Sequence, residues 1–117
     1  MKKLIKSTKN VNSFDRINEV SALSIQRVTE PITNICKIWI EEDANKDTGE
    51  PITVGLFADM NGKVYCTVSE IIINQLDTIM GDIDNGTVSC FDAEVVKKTS
   101  LAGREYYVLQ ISSGKVE

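Results

Sequence analysis

The sequence predicts a mainly β fold, five to six antiparallel strands curled into a barrel with one helix after the third strand. Three observations predict it. Apolar residues alternate with polar ones in several short runs, the period of a strand with two different faces. Asp59-Met60-Asn61-Gly62 separates two such runs, and Asn-Gly in that setting is a hairpin turn, because both residues tolerate positive φ. Only one stretch, opening at Ser69, carries apolar residues at helical spacing.

Taken in order, residues 1–19 form a basic arm in which Asn10, Asn12 and Ser13 break any period. Phe14 and Ile17 are its candidate anchors. Ser21 to Thr29 alternates and reads as the first strand, ended by Glu30-Pro31. Thr33 to Glu41 is the clearest strand, followed by a polar loop from Glu42 to Glu50. Ile52 to Ala58 and Lys63 to Val68 flank the Asn-Gly turn. Ser69 is a natural cap for a helix with Ile72, Ile73, Leu76, Ile79 and Met80 on one face and Gly81 as its stop. Val88 to Val96 and Glu105 to Ile111 are two further strands joined by residues 97–104. The organisation expected is an arm (1–19), one barrel domain (20–112) and a short tail (113–117).

Composition narrows the function. The chain has no histidine and three scattered cysteines, Cys36, Cys66 and Cys90, with no Cys-x-x-Cys pair, so zinc and His-based metal sites are not expected. Each cysteine sits in a β-like run and reads as a small buried hydrophobe. Carboxylates are plentiful but fall in loops, the glycines are scattered, and no nucleophile–base pair presents itself. The expectation is therefore no enzyme and no cofactor. No apolar window is long enough for a membrane span. The charged start lacks the apolar core of a secretion signal, which predicts a cytoplasmic protein.

Charge is unevenly spread. Of 13 cationic and 17 acidic residues, four lysines lie within the first ten positions, leaving a net −8 on the rest. A basic arm on an acidic body marks either a solvated terminus or contact with nucleic acid.

Alternation then assigns faces. Cys36, Ile38 and Ile40 share one side of their strand, with Lys37, Trp39 and Glu41 on the other. Ile52, Val54, Leu56 and Ala58 leave Thr53, Gly55 and Phe57 opposite, and Val64, Cys66 and Val68 leave Lys63, Tyr65 and Thr67 opposite. Reading the charged side as the wet one puts Trp39, Phe57 and Tyr65 on one solvent-facing surface beside Lys37 and Lys63. Unpaired bases stack on such rings while lysines neutralise phosphates. Of Tyr106 and Tyr107, which point opposite ways, one would extend the platform; Tyr106 is the candidate named. Lys97, Lys98 and Arg104 flank the last hairpin, and Lys3, Lys6 and Lys9 lie in the arm. The competing reading packs the outward rings under the arm or into a dimer interface, and makes Gly55 a bulge.

Strand, strand, hairpin, helix, strand, strand is the layout of an oligonucleotide-binding (OB) barrel. The run Thr53-Val54-Gly55-Leu56-Phe57-Ala58 through Gly62-Lys63-Val64-Tyr65 to Ser69 resembles the single-stranded DNA-binding proteins of phages that infect Gram-positive bacteria. The ending is similar too, with a Ser/Gly hairpin at Thr99 to Gly103 and then Tyr106-Tyr107-Val108-Leu109-Gln110-Ile111. The resemblance spans roughly residues 53–112. It implies an OB fold, sequence-independent and cooperative coating of single strands in replication or recombination, and stacking by Tyr65 with Phe57 or Trp39. Replication proteins and a second copy of the chain are the further partners expected, in the host's cytoplasm, although Ser112 to Glu117 is not a long acidic recruiting tail. The alternative is a protein-interaction or inhibitory module that uses the aromatic face.

Overall fold

The alternating runs become strands wherever a neighbour pairs with them. The computed structural model, which describes residues 3–115, holds seven in one sheet. The strands are β1 (Lys3–Ser7), β2 (Leu23–Ser24), β3 (Ile32–Ala44), β4 (Pro51–Asp59), β5 (Val64–Thr67), β6 (Cys90–Thr99) and β7 (Glu105–Lys115). Two helices, α1 (Ser13–Ile17) and α2 (Glu70–Asp84), and two 3-10 turns at Asn18–Ser21 and Ile25–Arg27 complete the order. Lys2, one of the arm's four lysines, and the final residues of the expected tail, Val116 and Glu117, lie outside the described residues. No helix among the described residues is long and apolar enough to cross a membrane.

The sheet runs β2-β5-β4-β3-β6-β7, with β1 also on β3. β3 organises it. One edge pairs with β4 along its length; on the other, Ile32 and Ile35 pair with β6 while Trp39 to Glu42 pair with β1. Serving two neighbours on one edge requires a bend. The register shifts between Ile32 and Ile35 and again between Ile35 and Lys37, and Asn34 between them sits at φ 58. The sheet curls into an open half-barrel, with no pairing among the described residues between the β2/β5 side and β7. All strand pairs are antiparallel except β2 with β5.

Several elements differ from the sequence reading. The expected strand over Ser21 to Thr29 shrinks to Leu23–Ser24, because the Ser24 hydroxyl accepts from the Gln26 amide and turns the chain into a 3-10 turn. The arm is structured: Asn12, read as a breaker, caps α1 in a capping box with Asp15. Ser69 caps α2 as expected, accepting from the Ile72 amide at 3.4 Å. The helix passes Gly81 and stops after Asp84, where Gly86 takes φ 82.

Two apolar clusters lie on opposite faces of the sheet. The larger joins Ile35, Ile38, Phe57, Tyr65, Phe91 and Leu109 to Ile72, Leu76 and Met80 of α2. The smaller comprises Trp39, Leu56, Ala58 and Val64, with Val11 of the arm and Ala22 just beyond it packed against it. Gln75 fastens α2 to β7 by donating to the Leu109 carbonyl at 2.8 Å and accepting from its amide at 2.9 Å. Gly55 is no bulge, since Ile40, Gly55 and Thr67 run in unbroken register. It lets α2 sit close: a Cβ there would lie 2.9 Å from Ile73 Cγ1. Gly55→Val should therefore destabilise the fold by about 1–3 kcal/mol through overpacking, seen as a lower denaturant midpoint; an unchanged midpoint would mean that the helix yields freely.

Candidate nucleic-acid interface

Strand register decides where each ring goes. Ile38, Phe57 and Tyr65 are direct partners in one row across β3, β4 and β5, and Trp39, Leu56 and Cys66 form the next. Partners in a row share a face. Phe57 and Tyr65 therefore stand with Ile38 on the α2 side, stacked at 5.3 Å between centroids and 19° between planes, while Trp39 points the other way. None of the rings is outside: Trp39 and Phe57 are 0% exposed and Tyr65 6%. The expected solvent-facing platform of Trp39, Phe57 and Tyr65 is corrected on this ground.

For β4 and β5 the difference from the sequence pattern is one of phase, not of period. The sequence reading placed Val54, Leu56 and Ala58 with Ile38 and Ile40, whereas the register places them with Trp39. Moreover, both faces of these strands are covered, one by α2 and the other by the arm. A charge on β3 therefore does not mark water. Lys37 Nζ pairs with Asp15 of the arm at 2.9 Å, and Arg16 of the arm reaches buried Glu41 at 2.6 Å.

Trp39 lies under this arm. Its indole N–H donates to Glu19 Oε1 at 2.5 Å. Arg16 Nε stands 3.8 Å from the same oxygen and is a buried donor with no hydrogen-bond partner among the described residues. An unmade bond of this kind costs about 1–3 kcal/mol. Burial, with the Glu19 hydrogen bond adding to it, pushes the Glu41 carboxyl above the usual carboxylate range, against the pull of Arg16. A cavity of about 110 Å³ beside the pair is lined by Glu19, Ala22, Glu41, Asp43, Val54, Leu56 and Cys66. Asp15, Arg16, Glu19 and Glu41 were not singled out from sequence. The Asn12-x-x-Asp15 capping box was a visible signal for the first of these; nothing local signals the burial of Glu41.

The cations disperse. Lys6 pairs with Asp77 of α2 at 2.5 Å, and the Lys9 amide donates to Asp84 at 2.8 Å, so the arm's base faces α2. Lys3 is exposed on β1. Lys63 lies 5.5 Å over the Tyr65 ring, a cation–π contact at the edge of the core. Burial raises the Tyr65 phenol, with Asp59 adding to it. The Cys36 thiol is also raised, by burial first, against the pull of Lys37.

The last hairpin brings its candidates together. Lys98 and Tyr106 are direct partners, flanked by Val96 and Val108, and Lys97 partners Tyr107. Tyr107 packs against the larger core, so alternation puts Tyr106 and Lys98 on the other face. Lys97 is paired with Glu105, which raises its ammonium. Lys98 and Arg104 are exposed and form no ion pair among the described residues. A shallow groove of about 370 Å³ runs along this ladder past Gln75, Val96, Lys98, Val108 and Gln110. No set of three or more Cys, Asp or Glu side chains among the described residues is arranged to hold a metal ion. Comparison with family models, curated proteins and solved structures finds no match to this chain.

Proposed function

We propose that this chain binds single-stranded DNA without regard to sequence, through the outer face of the β6–β7 ladder and the hairpin at its end. The observation that carries the reading is the cross-strand pairing of Tyr106 with Lys98, next to Arg104, on the face turned away from the core. A ring beside cations that form no ion pair among the described residues provides the two contacts a single strand needs, stacking for a base and charge for a phosphate. The chain order supports an OB-type reading as well. A long bent strand pairs with the first strand of a hairpin and with β6, a helix follows the hairpin, and β6–β7 closes the order.

The test is anisotropy of labelled oligo-dT against a duplex of equal length. Single-strand binding should weaken with salt by about 0.7 log units per log unit of salt for each phosphate contact. Tyr106→Ala should remove about 1–3 kcal/mol, a loss of roughly 5- to 150-fold, and Lys98→Glu should flatten the salt slope. Absence of binding at low salt would overturn the reading. The second reading, a protein-interaction module, is favoured by one observation: Phe14, Ile17 and Val20 form an exposed apolar line along the arm.

A further inference from the structure

The arm adheres to the sheet in an unusual way. Its ends are fixed: the Thr8 amide donates to the Ile38 carbonyl at 2.9 Å, Asn10 Nδ2 to the Cys36 carbonyl at 2.8 Å, and Leu23–Ser24 pair with β5. Between these anchors, residues 12–21 turn their large apolar side chains outward: Phe14 is 76% exposed, Ile17 64% and Val20 91%. Toward the sheet they turn Asp15, Arg16 and Glu19. Apolar burial, the usual adhesive of a surface segment, comes only from the flanking Val11 and Ala22. The segment is held by charge and hydrogen bonds.

We infer that residues 12–21 are a pH-sensitive lid over Trp39, closed while Glu41 holds a proton against Glu19 and opened when that proton leaves. With the proton present, one carboxyl donates to the other, Arg16 Nη2 donates to Glu41, and the indole donates to Glu19. Without it, two buried carboxylates face each other with one guanidinium beside them.

Among the described residues, the other charged or titratable groups facing Glu41 do not replace the proton. Asp43 and Cys66 line the same cavity, and Lys37 is engaged with Asp15. β4 offers Val54 and Leu56, and β1 places Leu4 opposite Glu41. The sign follows from linkage. Glu41 has a raised carboxyl in the closed form, so closure binds the proton more tightly than opening does. Its contribution is complete below the ordinary carboxylate range and is lost as pH rises through the raised value. Because both ends of the lid stay anchored, opening leaves the half-barrel intact.

The single tryptophan reports on the lid directly. Trp39 emission and acrylamide quenching are followed between about pH 4 and about pH 9 on the full chain, with far-UV circular dichroism in parallel. The expected result is a red shift and a severalfold rise in quenching as pH increases, at constant circular dichroism. Glu41→Gln, whose amide donates at every pH, should abolish the transition. Hydrogen exchange of residues 12–21 in the unmodified chain, corrected for intrinsic rates, should accelerate over the same range and so covers a variant that fails to fold. Emission and exchange that ignore pH, a transition that survives Glu41→Gln, or one that coincides with loss of circular dichroism would each overturn the inference. None of these readouts uses nucleic acid, so the lid and the proposed single-strand binding stand or fall separately.

Discussion

Phe57→Ala is expected to lower folding stability by about 3–5 kcal/mol, the cost of emptying a buried aromatic site. Phe57 is wholly buried, lies in register with Ile38 and Tyr65, and stacks on the Tyr65 ring. The stacked pair adds about 0.5–1.5 kcal/mol beyond the area it buries. Denaturant unfolding followed by circular dichroism measures the loss as a lower midpoint at an unchanged slope. The variant also separates the two positions this ring was given. A surface ring that stacks bases would leave the midpoint alone and weaken oligo-dT binding. A core ring does the reverse wherever the variant remains folded. An unchanged midpoint would remove Phe57 from the core and restore the solvent-facing reading.

Which features were legible in the sequence depends on how far their cause reaches along the chain. The turn at Asp59–Lys63 was legible because its parts are adjacent: Asp59 Oδ1 accepts from the Asn61 amide at 2.9 Å and the Lys63 amide at 3.0 Å, and Gly62 sits at φ 85. The start of α2 was legible for the same reason, a Ser cap followed by an apolar stripe. The faces of β3, β4 and β5 were not. Alternation gives the two sides of one strand, but matching the sides of neighbouring strands needs the register, which is a long-range property. The irregularity between Ile35 and Lys37 also interrupts the period within β3, so both Ile35 and Ile38 reach the larger core. The arm was misread because Asn12 fits two states, a breaker in the middle of a helix and a cap at its start. For the last hairpin, the cations and the opposed tyrosines were plain from sequence. Only the packing of Tyr107 into the core decides that Tyr106 is the outer one.

At Trp39 the two contributions, ring and N–H, can be separated. Trp39→Ala should cost about 3–5 kcal/mol, since the ring fills the smaller cluster among Leu56, Ala58 and Val64. Trp39→Phe keeps most of the apolar volume and removes the donor that meets Glu19 Oε1 at 2.5 Å. Losing one hydrogen bond to this buried carboxylate costs about 1–3 kcal/mol. The double-mutant cycle of Trp39→Phe with Glu19→Gln isolates the bond, and a coupling on the order of 0.5–3 kcal/mol is expected for two groups in direct contact. A coupling near zero would show that the arm does not grip the indole through Glu19, and the lid would lose one of its polar holds. A full coupling would show the reverse: the ring first assigned to a ligand is already engaged by the protein's own acid. Quenching of Trp39 by a bound strand would then report movement of the arm rather than stacking.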